Sequence, residues 1–365
     1  MRLKRSDLCQ LAVCLLCVVR LLFIGRGMKL TLKSSADQRR MREAGAQAAQ
    51  LLTYLDPHVR PGVTTAELDR LAHSYTTEVL RARSAPLHYG GLIGQNLYDL
   101  GVAPGFPLTP GVCAALHAAT HAVGLRGLPM CGFPAATCIS VNQVVCHGIP
   151  DARPLRAGDI VNIDVTVITP DGWHGDSSRM WLVGGAEAVA PRAAALVNDT
   201  YEALWRGIRA IRPGRRVGDI GSAIQRFAEP KGASRPLPLP KPFGPLFPAT
   251  ALKLRVLGSG YGVVRDFFGH GIGQHFHEQP MVSHVGEPNT GALLEPGMVI
   301  TVEPMLNLGT PSVRVLNDQW TVESADGSLS AQWEHMVLVT INGYEVLTLR
   351  PGEDQQRVSD GGGGG

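Results

Sequence analysis

A pattern that occurs twice in the chain constrains its fold more than any other feature. Leu155–Asp164 and Leu294–Glu303 align without gaps, and both read L-x-x-G-x-[IV]-[VI]-polar-[IV]-acid. Each copy ends with alternating apolar and polar residues, the period of a strand that has one buried face. The repeat therefore predicts an α+β domain with pseudo-twofold symmetry. Each half is expected to deliver one carboxylate from a strand to a shared cleft, with helices packed outside.

Composition excludes several classes of protein. Of the 365 residues, 44% are hydrophobic and 18% are charged, which is typical of globular rather than disordered chains. The formal net charge is +3 with the basic residues scattered, so no nucleic-acid specificity is predicted. Three of the seven cysteines lie in the apolar N-terminal run, and the other four show neither a disulfide framework nor zinc-finger spacing, which favours a reducing compartment. We expect the protein to be a monomer.

Apolar spacing predicts four helices, over residues 34–55, 64–80, 191–212 and 217–228. Thr64 and Glu67 have the spacing of a capping box at the start of the second helix. Two strands are predicted, in IVNIDVTVI and MVITVEPM. Period-two alternation places Asp164 on the face opposite the apolar side chains of the first strand, and it places Glu303 on the same face as Thr301 in the second.

The predicted domain covers residues 28–350 and is interrupted by two insertions rich in Gly or Pro, at about 90–129 and 230–260. Residues 1–27 form an apolar extension that includes Arg2, Lys4 and Arg5 at its start. This extension is interpreted either as a membrane anchor or targeting segment, or as the product of an upstream start assigned in error. Residues 351–365 are expected to be a flexible tail.

Four acidic residues occur in apolar or aromatic runs where an isolated carboxylate is costly to bury: Asp164, Asp176, Glu303 and Glu334. Divalent cations neutralise several acids at once, so the four acids together predict a metal site. His270, within the glycine-rich sequence FFGHGIGQ, supplies a nitrogen ligand. This set of ligands contains four carboxylates and one imidazole. The carboxylates are too many for one ion, and the set suits two ions that share carboxylate ligands. Co, Mn, Fe and Zn all fit this set.

Several segments in this order resemble the type I methionine aminopeptidases: VCHGIP, VNIDVTV, WHGDSSRM, GHGIGQHFHEQPMVSH, TVEPM and SLSAQWEHMVLVT. The similarity extends over residues 29–349 apart from the two insertions. It implies the pita-bread fold, in which two pseudo-symmetric halves form a curved antiparallel sheet covered by helices. It also implies that the four acids and His270 are the metal ligands, with Asp176 and Glu334 bridging two ions.

The same resemblance implies a mechanism and a substrate. Water activated by the two ions attacks the first peptide bond, and Glu303 serves as general base as well as ligand. His277 hydrogen-bonds the scissile carbonyl, while His147 lies near the substrate amide nitrogen. The implied substrates are nascent polypeptides that begin with methionine and carry a small second residue, which brings the enzyme to the ribosome.

A pocket for the methionine side chain is implied at four positions, Phe133, Cys138, Phe276 and Trp320. Phe133 stands where many members of the family have tyrosine, and about forty residues intervene before this wall of the pocket where many members have a short loop. Either Tyr89 or Met130 therefore completes the pocket.

Two alternatives stay open. One is a peptidase of the same fold that cleaves before proline, although the region before Val161 is too short for the N-terminal domain such enzymes carry. The other is a catalytically impaired binding protein on the same scaffold, although such proteins lose metal ligands. The expected location is the cytoplasm, or a membrane or organelle if residues 1–27 are a targeting segment.

Overall fold

The computed structural model describes residues 30–89, 132–231 and 260–353, which contain four α-helices. These helices are α1 (Ser35–Leu55), α2 (Thr65–Ser74), α3 (Pro191–Arg209) and α4 (Val217–Lys231). A 3-10 turn at Asp56–His58 follows α1, and a π-helical turn at Tyr75–Val79 continues α2. All four predicted helices are present, but α3 ends earlier than predicted and α4 ends later.

The strands are short, apart from two that have nine residues each. In chain order they are β1 (Arg83–Ser84), β2 (Cys138–Val141), β3 (Val144–Cys146), β4 (Ile160–Ile168), β5 (His174–Leu182), β6 (Gly262–Val263), β7 (Gly269–Gly271), β8 (Glu278–Val282), β9 (Val299–Val302), β10 (Met305–Asn307), β11 (Val313–Val315), β12 (Val322–Ser324), β13 (Ser330–Gln332), β14 (His335–Val339) and β15 (Tyr344–Val346).

Local sequence accounts for where the first two helices begin. The Ser34 hydroxyl accepts a hydrogen bond from the backbone N–H of Asp37, whose carboxylate accepts from the Ser34 N–H in return. The Thr64 hydroxyl accepts from the N–H of Glu67, so the hydroxyl half of the predicted capping box is confirmed. Regular α-helix ends at Ser74 rather than near Leu80, because the chain widens there into the π-helical turn.

Antiparallel pairing organises the strands into sheets that correspond to the two predicted halves. In the first, β4 pairs along its length with β5 on one side and with β1 and β2 on the other. In the second, the order is β15-β14-β9-β7-β8. Two smaller sheets have the orders β13-β10-β6 and β11-β12-β3. The two copies of the repeat fall on β4 and β9, the inner strands of the two large sheets, as the pseudo-symmetry predicts.

Helices cover each half through its apolar residues. Leu51, Leu52 and Leu55 of α1 pack with Ile163 and Val165 of β4 in one core. A second core joins α3 and α4 to the other large sheet through residues that include Trp205, Ile208, Ile224, Ile300 and Val337. The alternation predicted for β4 is confirmed, because its apolar side chains face α1 and Asp164 faces the opposite side.

A buried ion pair joins the segment before α1 to the second half of the fold. The Lys33 ammonium lies 2.5 Å from Glu278 Oε2, and both side chains are about 5% exposed. Thr31 also donates a hydrogen bond to Glu278, and the Lys33 N–H bonds to the carbonyl of Gly297. Residue 30 onward is therefore part of the folded domain.

Several predicted segments lie outside the described residues: the extension at 1–27, the insertion at 90–129 and most of that at 230–260. None of the described helices is both long and apolar enough to span a bilayer. At the other end, Glu353 lies within the predicted tail but accepts hydrogen bonds from the Arg350 guanidinium, so folded contacts continue to this residue.

Candidate active site

Five elements bring the predicted ligands to one cleft of about 440 Å³. β4 carries Asp164, β5 carries Asp176 and β7 carries His270, while Glu303 directly follows β9 and Glu334 directly precedes β14. Asp164 and Asp176 share a face of the β4–β5 pair, because Asp164 lies across from Ser178 and Thr166 across from Asp176. The first half thus supplies two carboxylates and the second half supplies the other three residues.

Three of these side chains converge closely enough to hold one metal ion. Ligand atoms of Asp176, His270 and Glu334 all lie within 4.8 Å of one another, and all three residues are buried. The His270 Nε2 atom is 3.6 Å from Asp176 Oδ2 and 3.8 Å from Glu303 Oε1. Asp164 and Glu303 line the same cleft beside these three. The described residues therefore include the whole predicted set in one place.

Hydrogen bonds fix the orientation of His270. Its Nδ1 lies 3.0 Å from the carbonyl oxygen of Gly271, an acceptor, so the proton resides on Nδ1. Nε2 then presents a lone pair toward the acids, the form of histidine that binds metal. The backbone N–H of His270 donates to the hydroxyl of Thr301 at 2.9 Å, and that hydroxyl donates to Glu303 Oε1 at 2.8 Å.

Burial raises the pKa values of the four acids above their ordinary range, and the closeness of like charges adds to the shift in three of them. Burial raises the pKa of Asp164 to about 7. Burial, followed by repulsion from neighbouring carboxylates, raises the pKa values of Asp176, Glu303 and Glu334 well above the usual range. Burial lowers the pKa of His270 to about 4, which keeps its ring neutral. A buried group of this kind is stable in its ionised form only beside a cation.

The donor set fits divalent metal ions. Glu334 Oε2 is buried and has no hydrogen-bond partner among the described residues, although a buried polar atom is normally paired. Oxygen donors together with one neutral imidazole are the ligands that Mn, Fe, Co and Zn accept. All of these donors line the same cleft: the unpaired oxygen of Glu334, the lone pair of His270 Nε2 and the carboxylates whose pKa values are raised.

Two further histidines line the cleft that holds the acids. His147 follows β3 with a φ of 55°, and its ring makes an edge contact with Phe267 at 5.3 Å. The ring centroids of His277 and His270 are 4.2 Å apart, and the His277 Nδ1 is 2.7 Å from the hydroxyl of Tyr89. Burial lowers the pKa of His147 to about 4 and that of His277 to about 2, so both rings are neutral.

An aromatic pocket adjoins the acids. Phe133 and Trp320 pack edge to face with their ring centroids 5.5 Å apart. Tyr89 and Phe276 pack in the same way with their centroids 5.1 Å apart. Cys138 also lines the pocket, where burial raises the pKa of its thiol and keeps it protonated. The structure places Tyr89 in this wall, whereas Met130 lies outside the described residues.

Comparison with known proteins gives the family. The model of metallopeptidase family M24 matches residues 39–341. The chain belongs to metallopeptidase family M24. Methionine aminopeptidases of Salmonella typhimurium and Escherichia coli are 40% and 39% identical to it over 324 residues, which is 88% of this chain and 95% of each relative.

Solved structures agree with the sequence comparison. The crystal structure of methionine aminopeptidase from Rickettsia prowazekii has a TM-score of 0.67 and 38% sequence identity, and it covers 88% of this chain and 100% of that one. An X-Pro aminopeptidase from Thermotoga maritima has a TM-score of 0.54 at 16% identity and is matched over 62% of its length, which shows a shared fold only. The resemblance to methionine aminopeptidases and the predicted pita-bread fold of this M24 chain are both confirmed.

Sequence reasoning missed the residues that hold the M24 carboxylates in place. The Thr166 hydroxyl donates to Asp176 Oδ1 at 2.8 Å, and the Gln332 amide donates to Glu303 Oε2 at 3.3 Å. The alternation of β9 predicts the face on which Thr301 lies but not its bond to Glu303. Thr166, Thr301 and Gln332 each lie two positions from a predicted ligand along an extended segment, so the pattern that exposed the acids could also have found them.

Proposed function

We propose that this chain removes the N-terminal methionine from nascent polypeptides by metal-assisted hydrolysis and favours a small second residue. One observation carries the proposal: the chain is 40% identical to a methionine aminopeptidase over 95% of that enzyme. The four acids and His270, which line one cleft, support it. Retention of all five residues argues against an impaired scaffold protein. The low identity to an X-Pro aminopeptidase argues against cleavage before proline.

In this proposal Asp164, Asp176, His270, Glu303 and Glu334 would hold two divalent ions. Co, Mn, Fe and Zn remain the candidate metals. When bound, such ions act as Lewis acids that polarise the peptide carbonyl and lower the pKa of a nearby water. The unpaired oxygen of Glu334 and the lone pair of His270 Nε2 support the assignment.

Glu303 is proposed as the group that moves protons. It accepts a proton from the attacking water and returns it to the amine that leaves. Hydrogen bonds from Thr301 and Gln332 hold its two oxygens in a fixed orientation, which supports this role. Orientation matters because a proton acceptor must lie within hydrogen-bond distance of its donor during the reaction.

The two neutral histidines are proposed to bind the peptide bond. His277 donates to the scissile carbonyl oxygen from Nε2, which requires that its Nδ1 accept the Tyr89 hydroxyl proton. His147, which lines the same cleft, lies near the nitrogen of the second residue. The depressed pKa of each ring supports the proposal, because a neutral imidazole donates at one nitrogen without adding a charge beside the metals.

The aromatic pocket is proposed to receive the methionine side chain. Phe133, Cys138, Phe276 and Trp320 form its walls together with Tyr89. Aromatic edges and a neutral thiol offer polarisable contacts to a thioether. A straight side chain enters such a narrow pocket more readily than a branched one, which supports selection for methionine.

The substrates also bear on where the enzyme works. They are nascent-chain N-termini, so the enzyme is proposed to work beside the ribosome in the cytoplasm. It is also proposed to be a monomer. Its catalytic domain comprises residues 28–350 with the two insertions, and residues 1–27 are an extension that the chemistry does not use. The folded contacts from Leu30 onward support this boundary.

Peptide hydrolysis tests the function directly. Purified protein supplied in turn with Co, Mn, Fe or Zn should release methionine from Met-Ala-Ser and leave an Xaa-Pro peptide intact, with product formation followed by chromatography. A Glu303→Gln variant is the matched negative control. Cleavage of the Xaa-Pro peptide alone would support the alternative peptidase, and no hydrolysis of either peptide with any metal would support a binding protein.

A further inference from the structure

Two large apolar side chains are exposed at the mouth of the catalytic cleft. Phe268 is 37% exposed and Met281 is 47% exposed, and both line the same cleft as the carboxylates. We call this pair the apolar rim. Other exposed large apolar residues of the described chain, such as Val315 and Ile341, do not line the cleft. Exposed apolar surface that continues a binding cleft commonly marks a contact for the ligand.

Strand register places the apolar rim on the catalytic face of its sheet. Met281 lies directly across from His270 in the β7–β8 pair, and residues paired in this way point to the same face. Phe268 directly precedes β7 and lines the same cleft as His270. The imidazole of His270 points to the acids, and the rim therefore stands beside them at the surface.

The rim lies where a bound peptide would leave the cleft. Phe267, next to Phe268, contacts the ring of His147, which is proposed to bind the nitrogen of the second residue. Phe133 and Trp320 pack edge to face in a wall of the proposed methionine pocket, so a peptide bound there extends away from these residues. An extended chain advances about 3.3 Å per residue, which carries the third residue out of the narrow cleft to its mouth.

We propose that Phe268 and Met281 form a subsite for an apolar side chain at the third position of the substrate, an inference that rests on the proposed function. Burial of such a side chain against the apolar rim removes apolar surface from water on both partners. Asp266 also lines the cleft, so an acidic third residue meets a like charge there. The subsite prefers Met-Ala-Leu to Met-Ala-Ser and disfavours Met-Ala-Asp.

Kinetics with these three tripeptides test the subsite in the metal-loaded wild-type enzyme. Since the rim is only partly enclosed, kcat/KM for Met-Ala-Leu should exceed that for Met-Ala-Ser by about fivefold, or roughly 1 kcal/mol. The difference should fall mainly on KM, because the third side chain binds equally in the ground state and the transition state. Equal values for the Leu and Ser peptides would overturn the subsite, whereas no methionine release from any of them would instead refute the proposed function.

Variants separate the rim from a general preference for apolar peptides. The double variant Phe268→Ser, Met281→Gln should bring the Leu-to-Ser ratio of kcat/KM close to one, while Met281→Leu should retain the preference. Ile341→Ser is the matched control, since Ile341 is 75% exposed and away from the cleft. Metal content and thermal midpoint verify that each variant is folded. A ratio that persists in the double variant, or that falls equally in Ile341→Ser, would contradict the assignment.

Discussion

The hydroxyl of Thr301 joins a nitrogen ligand to the proposed proton acceptor. It accepts from the backbone N–H of His270 and donates to Glu303 Oε1, with no exposure to water. Buried hydrogen bonds of this kind set the direction of a carboxylate more strictly than bonds to solvent do. Thr301 therefore controls which lone pairs of Glu303 face the cleft.

Replacement of Thr301 by valine keeps the shape of the side chain and removes this link. We expect kcat of Thr301→Val to fall about 10- to 100-fold, the usual effect of losing a residue that supports a metal ligand. KM should change little because the pocket is untouched. Thr200→Val is the matched control, since Thr200 is equally buried and its hydroxyl donates to the Leu196 carbonyl within α3, away from the cleft. Full activity of Thr301→Val would show that Glu303 needs no such support.

At the residue scale, the sequence predicts what is chemically anomalous and misses what is chemically ordinary. Buried acids in apolar strands are costly, and this cost alone singles out Asp164, Asp176, Glu303 and Glu334 along the chain. Gln332 is not costly to place in a strand, so only its spacing of two positions from Glu334 could have indicated it. Tyr89 could not be chosen over Met130, because only the folded chain brings the Tyr89 hydroxyl to the ring of His277.

At the scale of elements, β5 approaches α1 so closely that only glycine fits at the crossing. A Cβ atom on Gly175 would lie 2.0 Å from the backbone oxygen of Ala44. The next residue is Asp176, so the contact with α1 also positions a proposed ligand. Apolar spacing predicts α1 itself, but the distance at which it crosses β5 depends on packing between segments more than a hundred residues apart in sequence.

Gly175→Ala should therefore damage both stability and catalysis. The helix backbone cannot yield as a flexible side chain would, so we expect a loss of about 1–3 kcal/mol in the free energy of unfolding. Displacement of Asp176 should lower metal affinity as well. Urea unfolding and metal titration measure the two effects. Gly343→Ala is the control, because a Cβ at Gly343 would meet no atom of the described residues within 4 Å. Equal behaviour of the two variants would contradict the packing argument.

At the scale of the whole molecule, the carboxylate cluster spans the two halves of the fold. Asp164 and Asp176 come from the first large sheet, whereas His270, Glu303 and Glu334 come from the second. Direct hydrogen bonds also join the halves, from the Ser177 hydroxyl to the Glu334 carbonyl and from the Arg350 guanidinium to the Ser178 carbonyl. The internal repeat predicts this arrangement, since each copy ends in one acid of the cluster.

The metal-free protein should consequently lose stability as pH rises. The pKa of Asp164 is raised to about 7 in the folded state, above its ordinary value of 3.8. The folded state thus retains this proton over a pH range in which the unfolded chain releases it, so the contribution is complete below about pH 4 and disappears as pH rises toward 7. Thermal unfolding in EDTA between pH 5 and pH 8 should show a falling midpoint. Saturating metal should flatten this dependence, because ions stabilise the charged carboxylates.

Metal binding should stabilise the whole fold rather than a single loop, because its ligands come from both halves. At a free metal concentration 100 times the dissociation constant, linkage adds about 2.7 kcal/mol to the free energy of unfolding. Glu334→Gln supplies the comparison within the cluster. Because burial raises the pKa of Glu334, this carboxyl adds to the loss of stability as pH rises, so the midpoint of the metal-free variant should fall less between pH 5 and pH 8 than that of the metal-free wild type. The variant should also gain much less from added metal. If both proteins respond to metal equally, Glu334 is not a ligand.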